Sequence, residues 1–186
     1  TVHAAFESGV MAAARVAATG ARKVAVVGAG ISGLAAAHRL AEAGASVTIE
    51  VDALASAVGL RALVNATNGI QCSLVHGGQI GRAENRALAR YVSVNLRQVT
   101  EVDLARFDLI ALVDTQPGTG NNSLPDGVVP DIVIDHHPIH KVTRKSPFTD
   151  IRSRYGATST ILYEYLDEAG EEIDVVYANR STENRV

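Results

Sequence analysis

Two adjacent histidines, His136 and His137, follow an acid, Asp135, at the end of the apolar run DIVID. A second apolar run, DLIALVD, ends in Asp114, and a third, SVTIEV, is flanked at its end by Glu50 and Asp52. Carboxylate oxygens combined with an imidazole nitrogen suit a divalent cation such as Mn2+ or Mg2+. Two such ions held ~4 Å apart can keep the attacking and leaving oxygens of a phosphoryl group in line. Taken singly, an aspartate at a strand end is more often a turn former or a helix N-cap, and Asp52 could simply cap the helix that follows it. The histidine pair is harder to explain by packing, because buried vicinal polar groups need partners of their own.

A different chemistry is written in VAVVGAGISGLAAAHRLAEAGASVTIE. Gly28, Gly30 and Gly33 form a G-x-G-x-x-G turn between a strand and a helix. The first glycine permits the tight turn, the second lets a pyrophosphate approach the backbone, and the third allows the helix to pack on the strand. A phosphate would sit at the helix N-terminus. Glu50, some twenty residues on, is placed to accept the ribose hydroxyls of FAD or NAD. The same stretch also suits a βαβ unit that completes one edge of a sheet, its glycines serving only the turn.

Positioning these groups requires strands whose carboxyl ends share one edge. The pattern predicts strands over Lys23–Val27, Ser46–Val51, Gln71–Val75, Asp108–Asp114 and Asp131–Asp135, with a short edge strand at Phe148–Ile151. Helices are predicted over His3–Ala18, Leu34–Ala43, Asp52–Ala66, Arg82–Val92 and Ala157–Ala169, the last stopped by Gly170. Leu54, Val58, Leu60, Leu63 and Val64 supply the buried face of the helix at Asp52–Ala66. Alternating strands and helices imply an α/β three-layer sandwich with a mostly parallel sheet and a Rossmann-like βαβ start. The expected organisation is a glycine-rich segment over 1–50, a second unit over 51–170 and a tail over 171–186, all on one continuous sheet.

Composition narrows the function classes. The net charge of -3 gives no broad attraction to nucleic acid, so any nucleotide must be held locally. The single cysteine, Cys72, excludes an internal disulfide framework and a cysteine-rich zinc site. No apolar run reaches the roughly 18 residues of a membrane span, and Glu7 and its polar neighbours argue against a secretory signal. A cytoplasmic location is expected.

Beyond these readings, the stretches DALASAVGLRAL, GGQIGRAENRALARY, ALVDTQPGTGNNSLP, PDIVIDHHP and FTDIRSRYGATSTILYEYL, in this order, resemble the DHH phosphoesterases. The resemblance spans about residues 52–170. It implies Mn2+-dependent hydrolysis of phosphate esters in nucleotides or short single-stranded oligonucleotides. It makes Asp114 a bridging metal ligand, His136 a ligand, His137 the group that meets the scissile phosphate, Asp135 the acid that orients the histidine, and Asp52 a second acid. Glu50 stands where the family's first motif has an aspartate, and Ser46 and Ile49 replace its histidine and proline. Gly156, Thr158 and Ser159 match a small-residue turn whose N–H groups would meet phosphate, with Arg152 nearby to neutralise it. The tail does not reproduce the family's late aspartate, and the family's C-terminal substrate domain is not matched. Residues 23–50 instead resemble the FAD-binding motif of amine oxidase and phytoene desaturase flavoproteins, and the N-terminal VHAAFESGVMAAARVA resembles their C-terminal helix. The switch between the two resemblances falls between Ile49 and Asp52, as in a recombined chain. The expectations are therefore a metal-dependent phosphoesterase, a dinucleotide-binding flavoprotein fragment, or a folded hybrid without activity.

Overall fold

The computed structural model describes residues 23–28, 51–68, 70–77, 86–87, 89–90 and 95–170. The run KVAVVG forms strand β1 (Lys23–Gly28). Ala25, Val26 and Val27 are completely buried, so both faces of this strand are covered. Such a run fits the middle of a parallel sheet, and β1 lies there. It pairs in parallel with β2 (Gln71–His76) on one side and with β4 (Leu109–Val113) on the other. The edge position considered for the βαβ unit is thus corrected. Among the described residues the edges are β3 (Leu96–Gln98) and β6 (Phe148–Ile151), which retain partly exposed residues.

With β5 (Ile132–Asp135) between β4 and β6, the order is β3-β2-β1-β4-β5-β6 and every pairing is parallel. The fold is a Rossmann-like α/β fold, with one six-stranded sheet among the described residues. Helix α1 (Val51–Asn68) and helix α2 (Thr158–Ala169) pack together on one face. Leu60, Leu63 and Val64 of α1 meet Ile161, Leu162 and Tyr165 of α2 over Val26, Val113 and Ile134. Each buried aliphatic side chain contributes about 1.5–3 kcal/mol to this core. On the other face Ala25, Val27, Leu112 and Val133 are covered by Val99, Val102, Leu104 and Phe107. Those residues belong to, or flank, two single-turn 3-10 segments at Val99–Glu101 and Leu104–Arg106.

The predicted helix at Asp52–Ala66 runs a little longer at both ends, so Val51 is helical rather than the last residue of a strand. β3 was not anticipated, because three residues are too few to show alternation. Arg86, Ala87, Ala89 and Arg90 are helical, in keeping with the predicted helix there. The predicted elements at 3–18, 34–43 and 46–50, and the tail at 171–186, lie outside the described residues. None of the described helices is long and apolar enough to cross a membrane.

Candidate functional site

β4 delivers Asp114 to the carboxyl edge of the sheet, where its backbone turns sharply. Its φ of 58° lies in the left-handed region that side chains other than glycine seldom adopt. The turn is secured by its N–H, which donates to the Ile134 carbonyl at 3.0 Å. The Asp114 side chain is only 6% exposed, and Thr158 Oγ1 donates to its Oδ1 at 2.9 Å. Burial holds the Asp114 carboxyl well above the ordinary range, and the nearby Asp52 charge adds to the shift. The Thr158 hydrogen bond pulls the other way, and the Asp135 charge raises it further.

β5 places Asp135, His136 and His137 beside it. His136 Nδ1 lies 3.1 Å from the Tyr155 carbonyl. A carbonyl can only accept, so Nδ1 carries a proton. Nε2 then faces Asp114 Oδ1 at 3.5 Å and Asp52 Oδ2 at 3.8 Å. Three acceptors directed at one another need a proton or a metal ion between them. Asp135, 1% exposed, accepts the backbone N–H groups of His136 and His137 at 2.8 and 3.2 Å and meets His137 Nδ1 at 2.8 Å. One ligand atom from each of Asp114, His136 and His137 lies within 4.8 Å of the others, a spacing that one cation can span. The two imidazole rings stand 4.2 Å apart, tilted by 52°.

Asp52 is near this cluster but is otherwise employed. It stands in the first turn of α1, and its two oxygens accept the N–H groups of Thr158 and Ser159, each at 2.8 Å. The expectation that those amides meet phosphate is therefore corrected: a carboxylate of the chain already occupies the start of α2. Arg152 is likewise engaged, pairing with Asp150 and Glu164 at 2.8 Å each and lying over the Tyr155 and Tyr165 rings. Burial disfavours its charge, but the Asp150 hydrogen bond and charge, with Tyr165 and Tyr155, hold its pKa above the ordinary value. Tyr165 Oη donates to Asp150 in the same group. Gly156 is exposed at the turn before α2. Gly28 ends β1 beside His76 and Val113, whereas Gly30, Gly33 and Glu50 lie outside the described residues.

Three participants act in ways the sequence did not suggest, Thr158 having been expected to meet phosphate through its N–H. Gln116 is 1% exposed and bonded to Asp135, Thr158 reaches Asp114 through its hydroxyl, and Tyr155 acts through a backbone carbonyl. A carbonyl leaves no mark in the residue types. Gln116, two positions beyond the strand-ending acid, was the one available signal.

Residues 26–93 match the family model of the NAD(P)-binding Rossmann-like domain. The chain is also 36% identical over 118 residues to the uncharacterized protein MJ1633 of Methanocaldococcus jannaschii. That alignment covers 63% of this chain and 23% of the relative, so the chain spans about a quarter of that protein. The Rossmann-like match overturns the resemblance to DHH phosphoesterases. It takes in the stretches DALASAVGLRAL and GGQIGRAENRALARY on which that resemblance partly rested, and it joins them to the glycine-rich strand β1 in one unit. The implied hydrolysis of phosphate esters and the implied manganese requirement are withdrawn with it. NAD(P)-type or FAD-type dinucleotide binding is the chemistry consistent with the match.

Proposed function

We propose that the chain is a dinucleotide-binding Rossmann module of the flavoprotein or oxidoreductase kind, taking the ADP portion of NAD(P) or FAD in the crevice between β1 and β4. The observation that carries this reading is the strand order. From β1 the chain runs outward to β2 and β3, then crosses to β4, β5 and β6 on the other side. In open α/β sheets, ligands bind at the carboxyl edge where the order reverses in this way. Gly28 and Val113 are neighbours at that point, and the family match begins in β1. Gly28, Gly30 and Gly33 would let the pyrophosphate approach the backbone, and Glu50 would take the ribose hydroxyls. A carboxylate there disfavours a 2'-phosphate, so NAD(H) is preferred to NADP(H).

The same edge is acidic, since Asp114 directly follows β4 and Asp52 lies within 3.8 Å of His136. A pyrophosphate approaching it would be repelled unless positive charge intervened. A divalent cation held by Asp114 and His136 Nε2, beside the His137 ring, would offset the carboxylates. Its contribution would be charge neutralisation and an anchor for a phosphate oxygen. A cytoplasmic setting belongs to this reading, supported by the lone free thiol Cys72, and cell fractionation checks it.

Titrating NADH, NADPH and FAD into the whole chain, with and without Co2+, tests the proposal. Saturable NADH fluorescence enhancement is expected, tighter than for NADPH and lost in Gly30→Glu. Absence of binding by all three dinucleotides at millimolar concentration removes it. The cation is read separately from the visible spectrum of bound Co2+, which His136→Ala should abolish.

A further inference from the structure

Gln116 is a buried amide that neither dinucleotide recognition nor cation ligation requires, yet it makes five side-chain contacts at the site. Its Nε2 lies 2.7 Å from Asp135 Oδ2, 3.1 Å from the Pro138 carbonyl and 3.4 Å from the His137 carbonyl. Its Oε1 accepts the His140 N–H at 2.6 Å and the Thr143 hydroxyl at 2.7 Å. The nitrogen meets only acceptors and the oxygen only donors, so the orientation of the amide is unambiguous. Two hydrogens shared among three acceptors favour the shorter contacts, to Asp135 and Pro138.

We propose that Gln116 is a positioning residue for the cation site, setting the His136–His137 segment through Asp135. This rests on the reading of Asp114 and His136 as cation donors beside the His137 ring. With Oδ2 of Asp135 held by Gln116, its Oδ1 is directed at the backbone N–H groups of both histidines and at His137 Nδ1. Accepting from Nδ1, the carboxylate places the proton there and fixes the His137 ring, whose Nδ1 stands 4.0 Å from Asp114 Oδ1. On its other side Gln116 anchors His140 and Thr143, so the loop carrying both histidines is tied at three points to the end of β4.

Gln116→Met keeps the volume and removes the bonds, and Gln116→Glu keeps the oxygen side and loses the N–H donors. Imidazole 15N spectra at fixed pH report the His137 tautomer, and calorimetry with Co2+ reports affinity. Both variants are expected to lose the Nδ1–H tautomer as the dominant form and to bind Co2+ about 10- to 100-fold more weakly. A retained tautomer with Co2+ affinity within about twofold, whatever the change in melting temperature, overturns the proposal. If the wild-type chain takes up no Co2+, the cation reading fails, and the tautomer comparison alone decides the role of Gln116. If neither variant folds, hydrogen exchange of the wild-type Gln116 side-chain amide decides. Protection supports the role, and exchange as fast as at the exposed Gln71 overturns it.

Discussion

Asp52 and Thr158, 106 residues apart, meet at 2.8 Å, the carboxylate of one accepting the backbone N–H of the other. The second oxygen of Asp52 accepts the Ser159 N–H at the same distance. The residue at the N-cap of α2 is Ala157, which has no side chain able to cap. Asp52 supplies that function from the first turn of another helix and so locks α1 to α2 beside the cluster. Asp52→Ala is expected to cost about 1–2 kcal/mol, the upper part of the range for a lost cap. Asp52→Asn, which keeps one acceptor, should cost less. Urea denaturation measures both, and an unchanged midpoint in Asp52→Ala would contradict the assignment.

The pH dependence of stability should carry the signature of Asp114. Its folded carboxyl is raised above the ordinary value, chiefly by burial and then by Asp52. Between the unfolded value of about 3.9 and the raised folded one, the folded state binds more protons than the unfolded state. Stability therefore falls as pH rises through that window. Asp114→Asn, which retains an acceptor for Thr158 and tolerates the left-handed backbone, should flatten this slope and stabilise the cation-free chain at neutral pH. In the wild type, Co2+ at 100 times its dissociation constant should restore about 2.7 kcal/mol, and the variant should gain little. Thermal unfolding across pH, with and without Co2+, provides the comparison.

Gly77, directly after β2, is expected to resist any side chain. A Cβ built there falls on the side chain of Ser123 in the loop beyond β4. Gly77→Ala must push that loop aside, and overpacking of this kind costs about 1–3 kcal/mol. Adding Ser123→Gly should return part of the loss. Purely additive effects in the double variant would show that the two residues are not in contact.

The Cys72 thiol should be slow to react. Burial pushes its pKa up to about 12, with Arg61 opposing the shift only in part. Little thiolate forms at neutral pH. Labelling by a disulfide reagent is expected to be far slower in the native chain than in urea, and equal rates would place the thiol in a different environment.

Much of the architecture was legible because strands with two buried faces must be apolar throughout. KVAVVG, DLIALV and DIVID announce themselves in that way, and each leads to an acid or a glycine at the carboxyl edge. Asp114, His136 and His137 could accordingly be suspected of sharing a site before any coordinates. The individual residue types carried less far at the start of α2. Small residues there suggested a phosphate pocket, but a distant carboxylate fills it. Arg152 suggested a free cation, but Asp150 and Glu164 hold it.

What the residues determine alone is therefore the strands β1, β2, β4, β5 and β6 and their burial, since these follow from local periodicity. What only the tertiary structure decides is who partners whom: β1 between β2 and β4, Asp52 on the amides of α2, Gln116 on Asp135. These choices depend on groups brought together by the crossover at the centre of the sheet. Hydrogen bonds and charges act over a few ångströms of space, whatever the number of residues between them.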